Sequence, residues 1–258
     1  MLHNVFTKTL RDQRRALLWW AVGLLAVIAT YVLPYRQYLD QGALDFETDS
    51  ALYLALGYDS SPAGYLQGSL FLIGTLLMIM AATVAGARAI AGDEEAGSLD
   101  LLLAHPVSRS RLVLERFAAL TVAVALLGLV VWAGTVAAAT LADMGIGTEP
   151  ITAATLGLAL LAVGFGTVAL AAGALTGRRG LVLGITAALA VGAYLAYTVG
   201  GQVEGMDGIR KLSPFFYYLG GDPLRTGLDL GDLAVLATIP LALLAVGLWS
   251  LNRRDIAV

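Results

Sequence analysis

The chain has 258 residues, of which 58% are hydrophobic and only 14% are charged, and its mean hydropathy is +0.78. A soluble globular domain carries about 25% charged residues, so this composition excludes an ordinary soluble domain and favours a protein whose surface faces lipid. The chain has no cysteine, which excludes disulfides, thiolate metal sites and cysteine nucleophiles.

The N-terminal residues 1–15 have the pattern of an amphipathic helix. The basic residues lie away from one helical face, which carries four apolar residues: Leu2, Val5, Phe6 and Leu10. This pattern predicts an interfacial helix lying on anionic lipid ahead of the first span. The alternative is a frayed basic N-terminus that serves only as a topology signal.

Six apolar segments follow. They cover residues 16–35, 66–87, 117–142, 151–175, 181–201 and 233–251. Each is long enough to cross a hydrocarbon core of about 30 Å as a helix. The first segment exceeds the apolar run of a signal peptide and no A-x-A site follows it, so we expect it to be retained. The sequence therefore predicts an all-α protein with six transmembrane helices in one domain, residues 1–258.

Loop charges predict the orientation. With six crossings, the N-terminus, loops 88–116 and 176–180, and the tail 252–258 share one side, which holds 12 of the 16 basic residues. The other side has four basic residues against 12 acidic ones. The positive-inside rule then places both termini in the cytoplasm of a multi-pass cell-membrane protein.

Two longer loops, residues 36–65 and 202–232, fall on the opposite, extracytoplasmic side. We expect short interfacial or re-entrant helices there rather than a folded ectodomain. The second loop contains the aromatic run Ser213-Pro214-Phe215-Phe216-Tyr217-Tyr218, which is typical of the lipid headgroup zone.

The most informative stretch is the cytoplasmic segment 93–109 between spans two and three. An acidic start is followed by a compact apolar patch: Leu99, Leu101, Leu102 and Leu103. Ser98 is a candidate N-cap for a short helix that Pro106 ends, and Ser108 is a candidate N-cap for the third span. Exposed leucines on a short helix indicate a docking surface; the alternative is that they lie in the headgroup layer.

The string IAGDEEAGSLDLLLAHPVSRSRLVLERF resembles the signature of ABC-2 type transporter permeases. The basic amphipathic N-terminus is similar to the connecting helix of that family, and KLSPFFYYLGGDPLRTGLDL is similar to the stretch before its last span. Two departures are Ala96, where a basic residue is common, and Glu115-Arg116, where a Gly-Lys pair is common.

The resemblance implies a permease subunit of an exporter in which residues 93–109 include the coupling helix that inserts into an ATPase groove. The coupling positions that it implies, with the leucine patch, are Glu94, Glu95, Gly97, Ser98, Leu99, Leu102, Pro106, Ser108 and Arg109. Two copies of the chain, or one copy with a similar permease, would pair with two ATP-binding subunits, and we expect a homodimer. The chain has no G-x-x-x-x-G-K-[ST] stretch, so ATP and Mg²⁺ would belong to the partner. We expect no catalytic, cofactor or metal site here, and no nucleic-acid partner.

Three other functions remain as alternatives. An intramembrane enzyme would need buried nucleophiles or carboxylates, whereas the predicted spans contain no Asp, Glu, His or Lys. An ion-coupled carrier would need ionisable residues at mid-membrane. A non-exporting membrane component of an ABC-type complex, acting in assembly or maturation of an extracytoplasmic enzyme or in sensing, fits the same features.

Two groups of side chains in the spans have further interpretations. The hydroxyls are expected to hydrogen bond between helices: Ser69, Thr75, Thr83, Thr121, Thr135 and Thr167. The large apolar side chains suggest a hydrophobic or amphipathic cargo, although packing or lipid contact also explains each of them: Trp19, Trp20, Phe71, Met78, Met80, Trp132 and Phe165.

Overall fold

The computed structural model describes residues 5–42, 44, 61–95, 97, 108–203 and 205–253, without the side chains of 251 and 252. Every regular element in this part of the chain is helical. Six helices among the described residues are long and apolar enough to cross a membrane. The chain is therefore an all-α membrane protein.

The long helices are α1 (Val5–Tyr31), α3 (Pro62–Glu95), α4 (Arg109–Leu141), α5 (Thr148–Thr176), α6 (Arg179–Gly200) and α10 (Leu230–Arg253). Four short helices lie in the loops: α2 (Tyr35–Asp40), α7 (Asp207–Leu212), α8 (Pro214–Leu219) and α9 (Pro223–Thr226). Each long helix contains most of one predicted span and most extend beyond it. We call the end of the bundle that carries Val5 and Glu95 the terminal side, and the other end the opposite side.

α1 is continuous through the predicted boundary between residues 15 and 16 and ends at Tyr31. Its first turns pack against protein, since Val5 and Thr9 are 8% and 3% exposed. At least part of the apolar face near the N-terminus therefore packs against the other helices. The predicted interfacial position of residues 1–15 stays a prediction.

α5 is the central helix and packs against α3, α4, α6 and α10. In the most apolar 18-residue stretch of α5, 78% of the residues are buried, compared with 11% in that of α6. A Cβ atom on Gly86 of α3 would lie 2.1 Å from the carbonyl oxygen of Gly166 on α5. Small residues let helices in lipid approach this closely, so the two glycines set the distance between α3 and α5.

The glycines of α6 have a different environment. A Cβ atom on Gly180, Gly184 or Gly192 would meet no atom within 4 Å in the described part of the molecule. Large apolar side chains of the same helix are also exposed, among them Leu189 and Val191. α6 therefore presents an apolar, thinly packed face outside the bundle core.

The prediction that the hydroxyls join helices is wrong for three of the six. Ser69, Thr121 and Thr167 each donate to the carbonyl oxygen four residues earlier in the same helix. Such bonding satisfies the hydroxyl locally. Thr75 donates in the same way to Phe71 and also reaches the hydroxyl of Tyr218, at 3.2 Å.

The aromatic run that was expected in the headgroup zone lies partly in the core. In α8, Phe215 and Tyr218 are 4% and 3% exposed. The Phe215 ring packs against the rings of Phe165 and Tyr194, with centroids 5.9 and 5.4 Å away. α8 thus packs as a plug between α5 and α6 at the opposite side. The aromatic composition of the run does not by itself reveal this position.

Candidate functional site

The predicted coupling segment, residues 93–109, joins the end of α3 to the start of α4 at the terminal side. Glu94 and Glu95 end α3, and Ser108 and Arg109 begin α4. Four of its predicted coupling residues lie outside the described residues: Ser98, Leu99, Leu102 and Pro106. The structure therefore defines how both ends of the segment are held.

Gly97 marks the exit from α3. Its φ is +64°, and its N–H donates to the carbonyl oxygen of Glu94 at 3.0 Å. A glycine in this left-handed conformation is a common way to end a helix, because other residues have a Cβ clash there. The glycine of the signature thus has a structural reason at this position.

Ser108 fixes the entry into α4. It has an extended backbone, with φ −67° and ψ 147°, and its Oγ accepts a hydrogen bond from the N–H of Arg111 at 3.3 Å. This is the geometry of a serine N-cap. The predicted cap is confirmed.

An ion pair between a buried arginine and a partly exposed aspartate connects the end of α3 to α4 and α1. The Arg116 guanidinium on α4 pairs with the Asp93 carboxylate, and its Nη1 donates to Thr9 Oγ1 on α1 at 2.9 Å. Arg116 is only 8% exposed. Removing Asp93 would leave the Arg116 charge buried without its anion. The pair therefore links the start of the segment to α4 and, through Thr9, to α1.

A second contact connects the end of α3 to α6. Glu95 Oε1 accepts a hydrogen bond from the backbone N–H of Arg179, the first residue of α6, at 2.7 Å. The first N–H groups of a helix have no partner within the helix, and the helix dipole favours a carboxylate there. Glu95 therefore ties the coupling segment to the start of α6.

Glu115 connects α4 to the first turn of α1. One carboxylate oxygen accepts from the backbone N–H of Phe6 at 3.0 Å, and the other accepts from Arg111 Nε at 2.7 Å. The Glu115-Arg116 pair, a departure from the common family pattern, thus supplies two separate links between α4 and its neighbours.

A small apolar cluster lies directly beneath these polar contacts. Its buried members come from five of the six long helices: Val5, Ala89, Ile90, Leu112, Val113, Leu170, Ala174 and Leu244. Because close-packed interiors transmit displacement rather than absorb it, this layer can pass a movement of the segment into the bundle.

α3 contains two π-helical turns, Gln67–Phe71 and Arg88–Gly92. The second comes immediately before Asp93. Single π-helical turns within α-helices are frequent at functional sites. The first lies within the stretch of α3 that lines a large cavity, and the second lies just beyond that stretch.

A cavity of about 870 Å³ runs between α3 and α6. On α3 it extends from Gly64 to Val84, and on α6 from Leu183 to Tyr197. At about 1.5 Å per residue the α3 wall is about 30 Å long, the thickness of a hydrocarbon core, and the α6 wall is about 21 Å long. We call this cavity the groove. Its walls are mainly apolar.

Polar groups gather at the end of the groove on the opposite side. Arg225 Nη1 donates to Asp222 Oδ2 at 2.9 Å, and Arg225 Nη2 donates to the Oγ of Ser61, the N-cap of α3, at 3.0 Å. Partial burial raises the pKa of the Asp222 carboxyl above its ordinary value. Asp222 and Arg225 both line the groove.

The large apolar residues suggested for a cargo path are scattered. Phe71 and Met80 line the groove. Met78 and Phe165 are core residues, and Trp19 is 75% exposed on the outside of α1. Aromatic and methionine content therefore did not identify the groove.

Sequence reasoning also missed Arg116, Asp222 and Arg225 as site residues. For Arg116 a signal was available, because a charge within an apolar helix is normally paired. The pair at the groove mouth had no comparable signal, since it lies within the last loop and meets α3 only in the folded bundle.

Comparison with known proteins agrees with this architecture. A family model described as ABC-2 family transporter protein matches residues 3–256, which include all six long helices, both ends of the coupling segment and the groove. A search of curated proteins finds no match. The chain belongs to the ABC-2 family of transporter proteins.

Proposed function

We propose that the chain is the permease subunit of an exporter powered by separate ATP-binding subunits, with residues 93–109 as the coupling segment. The observation that carries this proposal is the contact of Glu95 with the first N–H of α6. Glu95 ends α3, so both walls of the groove are joined at the start of the coupling segment. A displacement of this segment acts on α3 and α6 together.

The force follows the fixed contacts. ATP-driven closure of the ATPase pair moves the segment; Asp93 passes the movement to α4 and α1 through Arg116 and Thr9. Glu95 passes it to α6. The apolar cluster beneath these contacts limits local yielding. Relative motion of α3 and α6 then changes the width of the groove.

The groove supports a hydrophobic or amphipathic substrate. Its length along α3 matches the hydrocarbon core, and its walls are mainly apolar. Its volume, about 870 Å³, lies within the range of about 300–1,000 Å³ for small-molecule sites. A non-exporting role in assembly or sensing would not require such a groove, so transport is the better proposal.

The orientation of the chain in the membrane and its partners are inferred from the loop charges and from the motifs. In the predicted topology, 12 of the 16 basic residues fall on the side of the termini, which supports a cytoplasmic location for that side and for the ATPase. The chain has no phosphate-binding loop, so ATP and Mg²⁺ belong to the partner. Leu181, Ile185 and Leu189 form an exposed apolar face of α6 outside the groove lining. This face supports a second permease, and we propose a homodimer with two ATP-binding subunits.

The test is a double substitution in the leucine patch, Leu99→Asp with Leu102→Asp. We expect the variant to reach the membrane and to lose at least about 90% of its co-purification with the ATP-binding subunit. The reason is that two unpaired carboxylates cannot enter an apolar docking site on the ATP-binding subunit. Co-purification is measured by affinity capture of the permease and quantification of the ATPase.

The matched control is Leu212→Asp with Leu230→Asp. These leucines are 84% and 78% exposed on the opposite side of the bundle. The control should retain the ATPase. Undiminished capture by the Leu99/Leu102 variant would remove the docking proposal.

A further inference from the structure

The charges that line the groove are confined to one end. Among the described lining residues, the charged ones are Asp222 and Arg225, and both lie at the mouth on the opposite side. Their side chains are 38% and 45% exposed. The groove is therefore apolar along its length and charged at one end, which matches an amphiphile with an apolar chain and a charged head group.

Asp222 is held in an unusual conformation. Its φ and ψ are +50° and 65°, and although it occupies the N-cap position of α9 its side chain makes no capping hydrogen bond. An aspartate at this position usually caps its helix, and left-handed backbone in a non-glycine residue costs free energy and clusters at ligand clamps. The carboxylate is therefore directed to Arg225 and the groove.

Arg225 is fixed from two sides. Its guanidinium donates to Asp222 Oδ2 and to Ser61 Oγ. Because Ser61 is the N-cap of α3, Arg225 bridges from α9 to one wall of the groove. The two charges are thus presented at a defined separation, with little rotamer freedom left to lose on binding.

The pairing selects among head groups. An anionic head group would compete with Asp222 for Arg225, and a cationic one would compete with Arg225 for Asp222; each exchanges one partly exposed ion pair for another and gains little. A zwitterionic head group places its anion against Arg225 and its cation against Asp222. Every charge then faces an opposite charge.

We propose that the groove binds a single-chain zwitterionic amphiphile, with its alkyl chain between α3 and α6 and its head group on Asp222 and Arg225. This assignment rests on the proposed function, in which the groove is the substrate path. The groove volume of about 870 Å³ is near the upper end for one small ligand, which favours one alkyl chain over a two-chain phospholipid.

The test uses the full chain in dodecyl maltoside, an uncharged detergent, without an ATP-binding subunit. Hexadecylphosphocholine with a photoactivatable diazirine in its chain is the probe, and labelled peptides of α3 and α6 are quantified by mass spectrometry. Competitors are unlabelled hexadecylphosphocholine, hexadecyl phosphate, hexadecyltrimethylammonium and dioleoylphosphatidylcholine. We expect the first competitor to be at least about tenfold more effective than the others, since tenfold corresponds to about 1.4 kcal/mol, the scale of one charge-assisted hydrogen bond.

The variant is Asp222→Asn with Arg225→Gln, since asparagine tolerates left-handed backbone. Its apparent Kd for the probe should rise about tenfold or more. The matched control is Arg36→Gln with Asp143→Asn, which removes an exposed ion pair outside the groove lining whose Asp143 also has a positive φ, +52°. The control should bind as the unmodified chain does.

Equal competition by all head groups, or by the two-chain lipid, would overturn the inference, as would equal losses in both variants. The competition series uses the unmodified protein, so it stands even if the variant fails to fold. Groove labelling without head-group preference overturns only this inference. No groove labelling at all also removes the groove as substrate path, while the co-purification test of the coupling segment remains separate. Cross-linking showing that a second copy fills the groove would have the same effect on the inference.

Discussion

Arg116 is the residue on which the terminal side depends most. It is 8% exposed, yet it follows the first turns of an apolar helix and carries a full charge. The Asp93 carboxylate and the Thr9 hydroxyl offset the cost of that burial. In contrast, Arg111 is more than half exposed, and its pair with Glu115 spans one turn of the same helix. The two arginines therefore differ in energetic weight although they lie five positions apart.

Substituting Arg116 should consequently cost more than substituting Arg111. For Arg116→Met we expect a loss of about 3 kcal/mol, because Asp93 is left without its cation; for Arg111→Met we expect about 0.5 kcal/mol or less. Thermal unfolding of each purified variant in detergent, followed by tryptophan fluorescence, measures the difference. Asp93→Asn combined with Arg116→Met should be less harmful than the sum of the single changes. Equal losses for the two arginine variants would contradict this account.

Local rules predicted some of these residues and not others. The Ser108 cap follows from a serine just before an apolar helical run. The partner of Arg116 lies 23 positions earlier, across a loop, and no local rule selects Asp93 over Glu94 or Glu95. Pairing across a loop depends on the packing of two helices, which one sequence does not specify.

At the scale of elements, the contact between α3 and α5 is set by backbone rather than side chains. Gly86 and Gly166 bring the two helices so close that even a methyl group does not fit. In lipid this is favourable because packing, and not the hydrophobic effect, drives helix association. α5 can therefore act as a rigid support behind α3.

We expect Gly86→Ala to destabilise the protein by about 1–3 kcal/mol, the usual cost of overpacking. Gly184→Ala on α6 is the matched control, because its Cβ meets nothing within 4 Å and alanine favours the helix by about 0.5–1 kcal/mol over glycine. Melting temperatures of both variants in the same detergent give the comparison. A Gly86 variant as stable as the control would show that the helices separate freely.

Hydropathy predicted the long helices because lipid imposes the same requirement on each of them. It was less successful where protein, not lipid, is the neighbour. α1 continues through the predicted boundary at residues 15 and 16, and the aromatic rings of α8 enter the core. Aromatic composition is the same for a headgroup contact and for a plug, so only the packing against α5 and α6 distinguishes them.

At the scale of the whole molecule, burial is uneven. The apolar window of α5 is 78% buried, whereas those of α1, α6 and α10 are 17%, 11% and 22% buried. The groove opens between the well-packed α3 and the thinly packed α6. A permease that moves one wall against a fixed core needs such an arrangement. No sequence pattern predicted the groove, because it is a space between helices whose faces are chosen by tertiary packing.

All functional assignments require the terminal side to be cytoplasmic, and charge is the physical reason to expect it, because basic residues are retained on the inner side during insertion. The chain has no cysteine, so single cysteines report sidedness cleanly. In intact cells, a membrane-impermeant maleimide should label Asp45→Cys and Asp207→Cys but not Ser98→Cys. Permeabilised cells provide the control, since Ser98→Cys should then react as strongly as the other two. Labelling of Ser98→Cys alone in intact cells would show that the bundle has the reverse orientation. The coupling segment would then lie away from any cytoplasmic ATPase, and the mouth formed by Asp222 and Arg225 would lie on the inner side.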